Sequence, residues 1–374
     1  MVWVGMSHHG VDYRHSPIGN DFITYWAASH LALSGTPATA YDLVSIVRVE
    51  RAVIPGIHTI NPWVYPPTFY LLILPLALLP YYLSYCTFIV LTFAPYFSMV
   101  RRIFAEPGSL ILLLSFPGVF VNALQGQNGF LTGALIGWAL LLLPRRPAWG
   151  GALIGLLTIK PQLGLLLPLA LLCGRQWRAL LYASLSSALL LALSVALLGT
   201  DSLFAFFGIV GRFSDWFTHD VDLLVKIPSF FSFACLLGAP RWVAYALHGV
   251  IAAGVAAAVG WVWLRRSAQH DLRAALLVTG SLLASPYLLD YDLAWLALPI
   301  AWLGRQGMRH GWLRWEREML VAVWLLPMML IPLHAVTHLQ LAPFVLLGFF
   351  LVVLRRCALD TESAAEATAS AEVI

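Results

Sequence analysis

The stretch WVYPPTFYLLILPLALLPY, from Trp63 to Tyr81, is an apolar run that prolines interrupt four times. These prolines are Pro66, Pro67, Pro75 and Pro80. A proline fits the first turn of a helix, but inside a helix it removes a hydrogen bond and bends or ends the helix. Backbone groups freed in this way need polar partners when the surroundings are lipid. We therefore predict that residues 68–79 form a half-inserted helix that lines a cavity and leads into a kinked membrane span.

The composition predicts a polytopic membrane protein. Of the 374 residues, 60% are hydrophobic and 11% are charged, whereas soluble domains are about half apolar and a quarter charged. Apolar stretches recur from residue 68 to residue 354, which leaves no room for a large soluble domain. We predict an all-α fold, a transmembrane helix bundle with juxtamembrane helices on its outer face.

Arginine pairs mark the ends of the apolar runs. This pattern is typical of cytoplasmic loops in membrane proteins, and it does not indicate a surface that binds nucleic acid. Counting from these pairs predicts eleven spans within residues 67–355, an outer loop at 201–227 and a disordered cytoplasmic tail at 356–374. Residues 1–66 then form an outer-face loop with interfacial helices. The same count places Met1 outside, so we expect a first transmembrane helix upstream of the sequence.

The cysteines do not indicate a metal centre. All four lie in or beside apolar runs without the spacing of zinc ligands, so we interpret them as packing residues. We predict no metal site and no cofactor. The polar side chains that are suited to chemistry fall instead at the breaks between spans on the outer side.

Asp21 and Lys160 are the two main candidates for chemistry. Asp21 precedes an aromatic-rich helix, where capping would be a sufficient role, but beside a cavity the same carboxylate can act as a general base. Lys160 is the only lysine within the spans. Its stem can extend to the interface, or its ammonium can form an anion site with the free amides of a helix that begins at Pro161. Both alternatives are open for each residue.

Further outer-face positions are candidates for substrate binding. Gln127 and Asn128 belong to a tight turn, in which the Gln127 amide would be left for sugar hydroxyls. The turn SPYLLDYDL carries Tyr287 and Asp290, and either can face the cavity, although solvated loop acids are the ordinary explanation. Arg212 lies among aromatic residues in a segment that suits an interfacial helix covering a lipid substrate.

Five segments carry a resemblance to a known family. In chain order they are NDFITYWAASHLALSGTPATAYD, YPPTFYLLILPLALLPY, GQNGFLTGALI, IKPQLGLLLPLALL and SPYLLDYDL. This ordered set resembles glycosyltransferase family 87, a branch of the GT-C superfamily that includes polyprenol-phosphate-mannose-dependent α-mannosyltransferases. The resemblance implies a GT-C type helix bundle in the plasma membrane, with its active site facing the periplasm or the cell exterior.

The resemblance also implies a reaction. A hexose such as mannose would pass from a polyprenyl-phosphate donor in the membrane to a glycan or lipid acceptor, without a metal or other cofactor. Asp21 matches the catalytic aspartate of the family and would take the proton of the acceptor hydroxyl. Lys160 and the amides after it would stabilise the leaving polyprenyl phosphate. Tyr287 and Asp290 stand where mannosyltransferase members often carry His, so the sugar stays open.

Two alternatives compete with an active transferase. A carrier or flippase for a lipid-linked sugar would use Lys160 and Asp290 as pathway residues and would form no bond. A truncated, non-catalytic relative would show no turnover until the missing first helix is restored. Ionisable groups on one side of the core favour an outward-facing enzyme, because a transporter needs a site near the membrane midplane.

Overall fold

The computed structural model describes residues 19–57, 59–106, 108–217, 220–265 and 268–372. Within these ranges every regular element is helical, which confirms the predicted all-α membrane fold. The α-helices, numbered α1 to α18 in chain order, are Phe22–Leu33, Leu43–Val53, Pro67–Ile73, Tyr81–Ile103, Ser109–Leu114, Pro117–Gln125, Gly129–Leu142, Pro147–Gly155, Leu167–Cys173, Trp177–Leu198, Thr200–Phe217, Val221–Val225, Phe230–Leu236, Arg241–Arg265, His270–Ala284, Ala297–His310, Glu316–Thr337 and Ala342–Glu372. Short 3₁₀ turns are Pro37–Tyr41, Leu74–Leu78, Leu156–Ile159, Pro161–Gly164 and Asp290–Leu296.

The helices fall into two length classes. In the described ranges, 5 helices are long and apolar enough to cross a membrane, namely α4, α10, α14, α17 and the first part of α18. Shorter apolar helical segments cover Pro67–Leu78, Gly129–Leu142, Pro147–Ile159 and Pro161–Cys173. A full crossing takes about 20 residues. The segments predicted as eleven spans therefore include both full-length helices and shorter ones that end at polar turns.

The broken helix that the proline-rich stretch predicts is present. Helix α3 begins at the second of the consecutive prolines, ends at Ile73 and continues as a 3₁₀ turn that contains Pro75. The carbonyls freed at the break find partners on α1. The hydroxyl of Ser29 donates to the carbonyl of Ile73 at 3.0 Å, and the indole of Trp26 donates to the carbonyl of Leu79 at 2.9 Å. These bonds satisfy backbone groups that lipid could not.

Helix α1 differs from the surface-lying helix that its sequence predicts. Phe22, Ile23 and Tyr25 have no exposed surface, because α1 packs against α2, α3 and the two 3₁₀ turns that flank them in sequence. Aromatic rings from α3 and α4 surround Phe22 and Tyr25 in edge-to-face contacts. Small residues such as Ala28 let these neighbours approach closely. Helix α1 is thus a buried element, and it carries Asp21 into the protein.

Helix α18 extends to Glu372, through residues for which the sequence predicts a disordered tail. A guanidinium nitrogen of Arg356 lies 2.6 Å from the carboxylate of Glu316, and the carboxylate of Asp360 accepts bonds from the backbone and side chain of Gln269. These contacts hold the end of the membrane-spanning part of α18, which runs from Ala342 to Thr361.

The main hydrophobic core surrounds α15, whose residues 274–284 are all buried. The chain then turns back through the 3₁₀ segment Asp290–Leu296, and all 7 of its residues are buried as well. Two carboxylates therefore lie inside the bundle at the end of a core helix. Buried carboxylates need specific partners, so this turn defines where polar groups from other elements must gather.

Candidate active site

Four interhelical turns meet at one end of the bundle. The backbone amide of Asp21 donates to the carbonyl of Gln125 at 3.0 Å, and the side-chain amide of Gln125 donates to the carboxylate of Asp290 at 2.8 Å. The ammonium of Lys160 donates to the carboxylate of Asp292 at 2.6 Å. One polar cluster thus contains side chains from four turns. These are the turn before α1, the turn between α6 and α7, the turn at Lys160 between the 3₁₀ segments Leu156–Ile159 and Pro161–Gly164, and the turn after α15.

The carboxylate of Asp21 does not cap α1. Asp21 stands at the N-cap position, but its side chain accepts no bond from the helix amides, so the capping alternative is wrong. Its two oxygens accept instead from the side-chain amides of Gln127, at 2.8 Å, and Asn20, at 3.0 Å. Burial raises the pKa of Asp21, while the positive charge of Lys226 and the bond from Gln127 partly oppose that rise. A carboxylate that neutral amides hold in place and whose pKa is raised is suited to accept a proton.

Gln127 is held between Asp21 and two tyrosines. Its carbonyl oxygen accepts hydrogen bonds from the hydroxyls of Tyr25 and Tyr65, the latter at 2.9 Å. Because the tyrosines occupy the oxygen, the nitrogen of the amide must face Asp21. The sequence predicts that Gln127 binds sugar hydroxyls, whereas here protein groups take up both ends of its amide. Gln127 therefore orients the carboxylate of Asp21.

Lys160 is buried and paired. Only 2% of its side chain is exposed, so the alternative in which it extends to the interface is wrong. Besides Asp292, its ammonium lies 3.4 Å from the side-chain oxygen of Asn128 and 4.3 Å from the ring centroid of Tyr291. The backbone amide of Leu163, which the sequence predicts to be free for an anion, donates instead to the carbonyl of Lys160 at 3.2 Å. The charge of Lys160 is thus compensated within the protein.

Asp290 and Asn128 lie in the same cluster. Asp290 is buried and accepts bonds from the side chain of Gln125 and from the amide of Tyr291. Burial raises the pKa of Asp290 to about 6, against the opposing charge of Lys226. Asn128 is fully buried, and among the described residues no group accepts a bond from its side-chain nitrogen. The side-chain oxygen of Asn128, by contrast, lies 3.4 Å from the ammonium of Lys160.

Tyr287 and Arg212 interact with residues that do not belong to this cluster. The hydroxyl of Tyr287 is hydrogen-bonded to that of Tyr245 on α14. Arg212 is exposed on α11. Its charge helps to lower the pKa of Asp42, at the start of α2, after the larger effect of the hydrogen bond from Ser45. Two of the candidates from the sequence thus have local partners of their own.

Lys226, which lies just after α12, is a further candidate that the sequence pattern did not indicate. The segment around it is tied to the acidic turn, because the hydroxyl of Ser229 donates to the carbonyl of Pro286 at 2.8 Å. The positive charge of Lys226 lowers the pKa of both Asp21 and Asp290, against the larger rise that burial causes. Within the part of the chain that the structure describes, its ammonium forms no ion pair. A signal for Lys226 existed, since Lys160 and Lys226 are the only lysines in the sequence.

Tyr25, Tyr65 and Gln125 were missed as well. Their roles depend on contacts between residues that are far apart in sequence, such as the 102 positions between Tyr25 and Gln127. Among the described residues, no group of three or more His, Cys, Asp or Glu side chains is placed to hold a metal ion.

A known protein family matches the sequence of this chain. The model of glycosyltransferase family 87 matches residues 63–286, more than half of the chain. The match contains Tyr65, Gln127, Lys160 and Lys226, while Asp21 lies before it and Asp290 just after it. No curated protein and no solved structure matches the chain.

Proposed function

Because the chain belongs to glycosyltransferase family 87, we propose that it transfers a hexose from a polyprenyl-phosphate donor to a hydroxyl group of a glycan or lipid acceptor. The reaction takes place at the outer face of the plasma membrane. The observation that carries this proposal is the Asp21 carboxylate, which neutral amides hold at a partly exposed position in a polar cluster within an apolar bundle. Mannose is the first donor sugar to test.

Asp21 acts as the general base. In a single displacement, the acceptor oxygen bonds to the anomeric carbon, the bond from this carbon to the phosphate oxygen breaks, and the proton of the acceptor passes to Asp21. The raised pKa of Asp21 makes it a stronger base than an ordinary aspartate. Gln127 holds one carboxylate oxygen and limits rotation of the side chain. The base is therefore oriented before the acceptor binds.

Lys226 binds the phosphate of the donor. The leaving polyprenyl phosphate gains negative charge as its bond to the sugar breaks, so a cation near Asp21 stabilises the transition state more than the ground state. Lys160 is the residue that the sequence suggests for this role, but Asp292 already compensates its charge. Lys160 instead keeps Asp292 and Asn128 in place.

The broken helix α3 and the turn after it form a wall for the prenyl chain. Leu72 and Leu78 on this segment are exposed. Both leucines lie next to carbonyls that accept hydrogen bonds from α1, those of Ile73 and Leu79. Helix α1 begins directly after Asp21, so the leucines are connected to the polar cluster through this helix. A polyprenyl chain that lies along these leucines would remain in an apolar environment while its phosphate reaches the polar cluster.

The test is a donor-cleavage assay with the full chain in membranes. Labelled polyprenyl-phosphate mannose and glucose are supplied with an acceptor extract, and the release of free polyprenyl phosphate is measured for the wild type, Asp21→Asn and the control Asp201→Asn. Asp201 is an exposed acid at the start of α11. Release that is lost only in Asp21→Asn supports the proposal. Unchanged release in Asp21→Asn overturns the base, and movement of intact donor to the opposite leaflet without release indicates a carrier.

A further inference from the structure

A lateral groove lies between α4, α5, α16 and α17, and we call it the inner groove. Its volume is about 420 Å³, within the range of roughly 300–1,000 Å³ that is typical of ligand sites. The walls are almost entirely apolar and include Val100, Phe104, Leu113, Ala301, Gly304 and Trp324. A groove of this kind in a membrane protein suits a hydrocarbon chain.

The inner groove lies at the opposite end of the bundle from Asp21. Helix α4 begins beside the polar cluster, where the hydroxyl of Tyr81 donates to the carbonyl of Gly19. Arg101, which lines the groove, follows Tyr81 by 20 positions in the same helix. At 1.5 Å per residue this separation is about 30 Å, close to the thickness of the hydrocarbon core. The groove therefore opens near the arginine-rich face, which the sequence predicts to be cytoplasmic.

Arg101 places a cation at the rim of the groove. Its guanidinium donates to the hydroxyl of Ser109 at 3.0 Å, and it forms no ion pair with any carboxylate in the described ranges. Arg305, which donates to the carbonyl of Ile103 nearby, is by contrast paired with Asp271. The uncompensated charge of the groove is thus that of Arg101.

We propose that the inner groove binds an anionic phospholipid of the inner leaflet. One acyl chain fills the apolar groove, and the phosphodiester accepts hydrogen bonds from Arg101 and Ser109. A zwitterionic lipid carries its own cation close to the phosphate, so Arg101 favours a lipid with net negative charge. Trp312 and Trp324 line the groove, and indole rings are enriched at the level of lipid headgroups. This proposal does not depend on the proposed glycosyl transfer.

The experiment uses the full chain in lipid nanodiscs. Phosphatidylglycerol and phosphatidylcholine that carry a diazirine on one acyl chain are incorporated at equal amounts, photolysed, and the adducts are mapped by mass spectrometry. Gly304→Leu fills the groove, since a Cβ atom added at Gly304 meets no atom within 4 Å. Gly254→Leu is the matched control, because Gly254 is an exposed helical glycine on α14 with equally open surroundings.

We expect phosphatidylglycerol adducts on α4 and α17 to exceed phosphatidylcholine adducts by about tenfold, the value of one charge-assisted hydrogen bond. Gly304→Leu removes these adducts and Gly254→Leu does not. Arg101→Gln keeps the adducts but loses the preference between the two lipids. Equal labelling by both lipids in the wild type, or unchanged labelling in Gly304→Leu, overturns the proposal. Displacement of the label by polyprenyl phosphate but not by phosphatidylglycerol does so too, and would assign the groove to the donor chain.

Discussion

Asp21 and Asp292 are two carboxylates of the same polar cluster, but one has neutral partners and the other has a cation as its partner. Asp21 is held by the neutral amides of Gln127 and Asn20, whereas Asp292 forms a buried ion pair with Lys160 at 2.6 Å. A buried ion pair keeps both charges in place but leaves neither for a substrate. A carboxylate that neutral donors hold keeps its charge and its ability to take a proton. We therefore propose a structural role for Asp292 and a reactive one for Asp21.

Substitution of each aspartate by asparagine tests this difference most directly. We expect Asp21→Asn to lower the rate of polyprenyl phosphate release by about 10²–10⁴-fold, since it removes the general base, and to leave the melting temperature in detergent nearly unchanged. Asp292→Asn should lower the melting temperature because it leaves Lys160 without its partner. The comparison fails if both variants lose activity while both remain as stable as the wild type.

Lys160 tests the structural side alone. We expect Lys160→Met to lower the free energy of unfolding by about 3–5 kcal/mol, because it leaves Asp292 as an uncompensated buried charge. The double variant Lys160→Met with Asp292→Asn should recover part of this loss. Chemical denaturation in mixed micelles measures both. Equal stabilities of the single and double variants would contradict a direct ion pair.

Substitution of Lys226 tests the proposed binding of the donor phosphate. We expect Lys226→Gln to lower kcat/KM for the donor by about 10–100-fold, the effect of one lost bond to a charged group. Arg212→Gln serves as the control, since Arg212 is exposed on α11 and its charge acts on Asp42. Steady-state kinetics with varied donor concentration distinguish the two. A larger loss in Arg212→Gln than in Lys226→Gln would reverse the assignment of the phosphate site.

The pH dependence gives a smaller effect. A general base must be deprotonated, so activity is lost as the pH falls through the pKa of Asp21, which burial raises above the usual 3.8. Lys226 lowers that pKa, so the acid limb of the kcat/KM profile should move to higher pH in Lys226→Gln. Profiles between pH 4 and pH 8 measure the shift. An acid limb that moves to lower pH would show that Lys226 does not act on the base.

Glu50 gives the smallest expected effect and concerns stability only. It is buried on α2, and burial raises its pKa from 4.5 to about 8. The folded protein holds a proton here that the unfolded chain releases, so this residue makes the protein less stable as the pH rises from 4.5 to about 8. We expect Glu50→Gln to raise the melting temperature at pH 8 and not at pH 5, with the exposed Glu318→Gln as control. A gain at pH 5 alone would contradict the direction of the pKa shift.

The amino-acid sequence alone is enough to predict the class of fold and the family. Composition and the length of apolar runs are local properties, so they predict membrane helices without knowledge of how the helices pack. The four prolines likewise act on their own helix, and the break between α3 and α4 lies where they stand. The candidates Asp21, Gln127, Lys160 and Asp290 could be proposed because polar groups between apolar runs are rare in such a chain.

The contacts of each of these residues depend on the tertiary structure. Asp21 could cap its helix or act as a base, and the amide of Gln127, which is 106 positions away, settles that it does not cap. Lys160 could reach the interface, but Asp292, 132 positions away, holds its ammonium inside. Because Asp292 compensates the charge of Lys160, we propose Lys226 for the phosphate. Such choices depend on which turns the packing of the helices brings together, and no local pattern in the sequence contains that information.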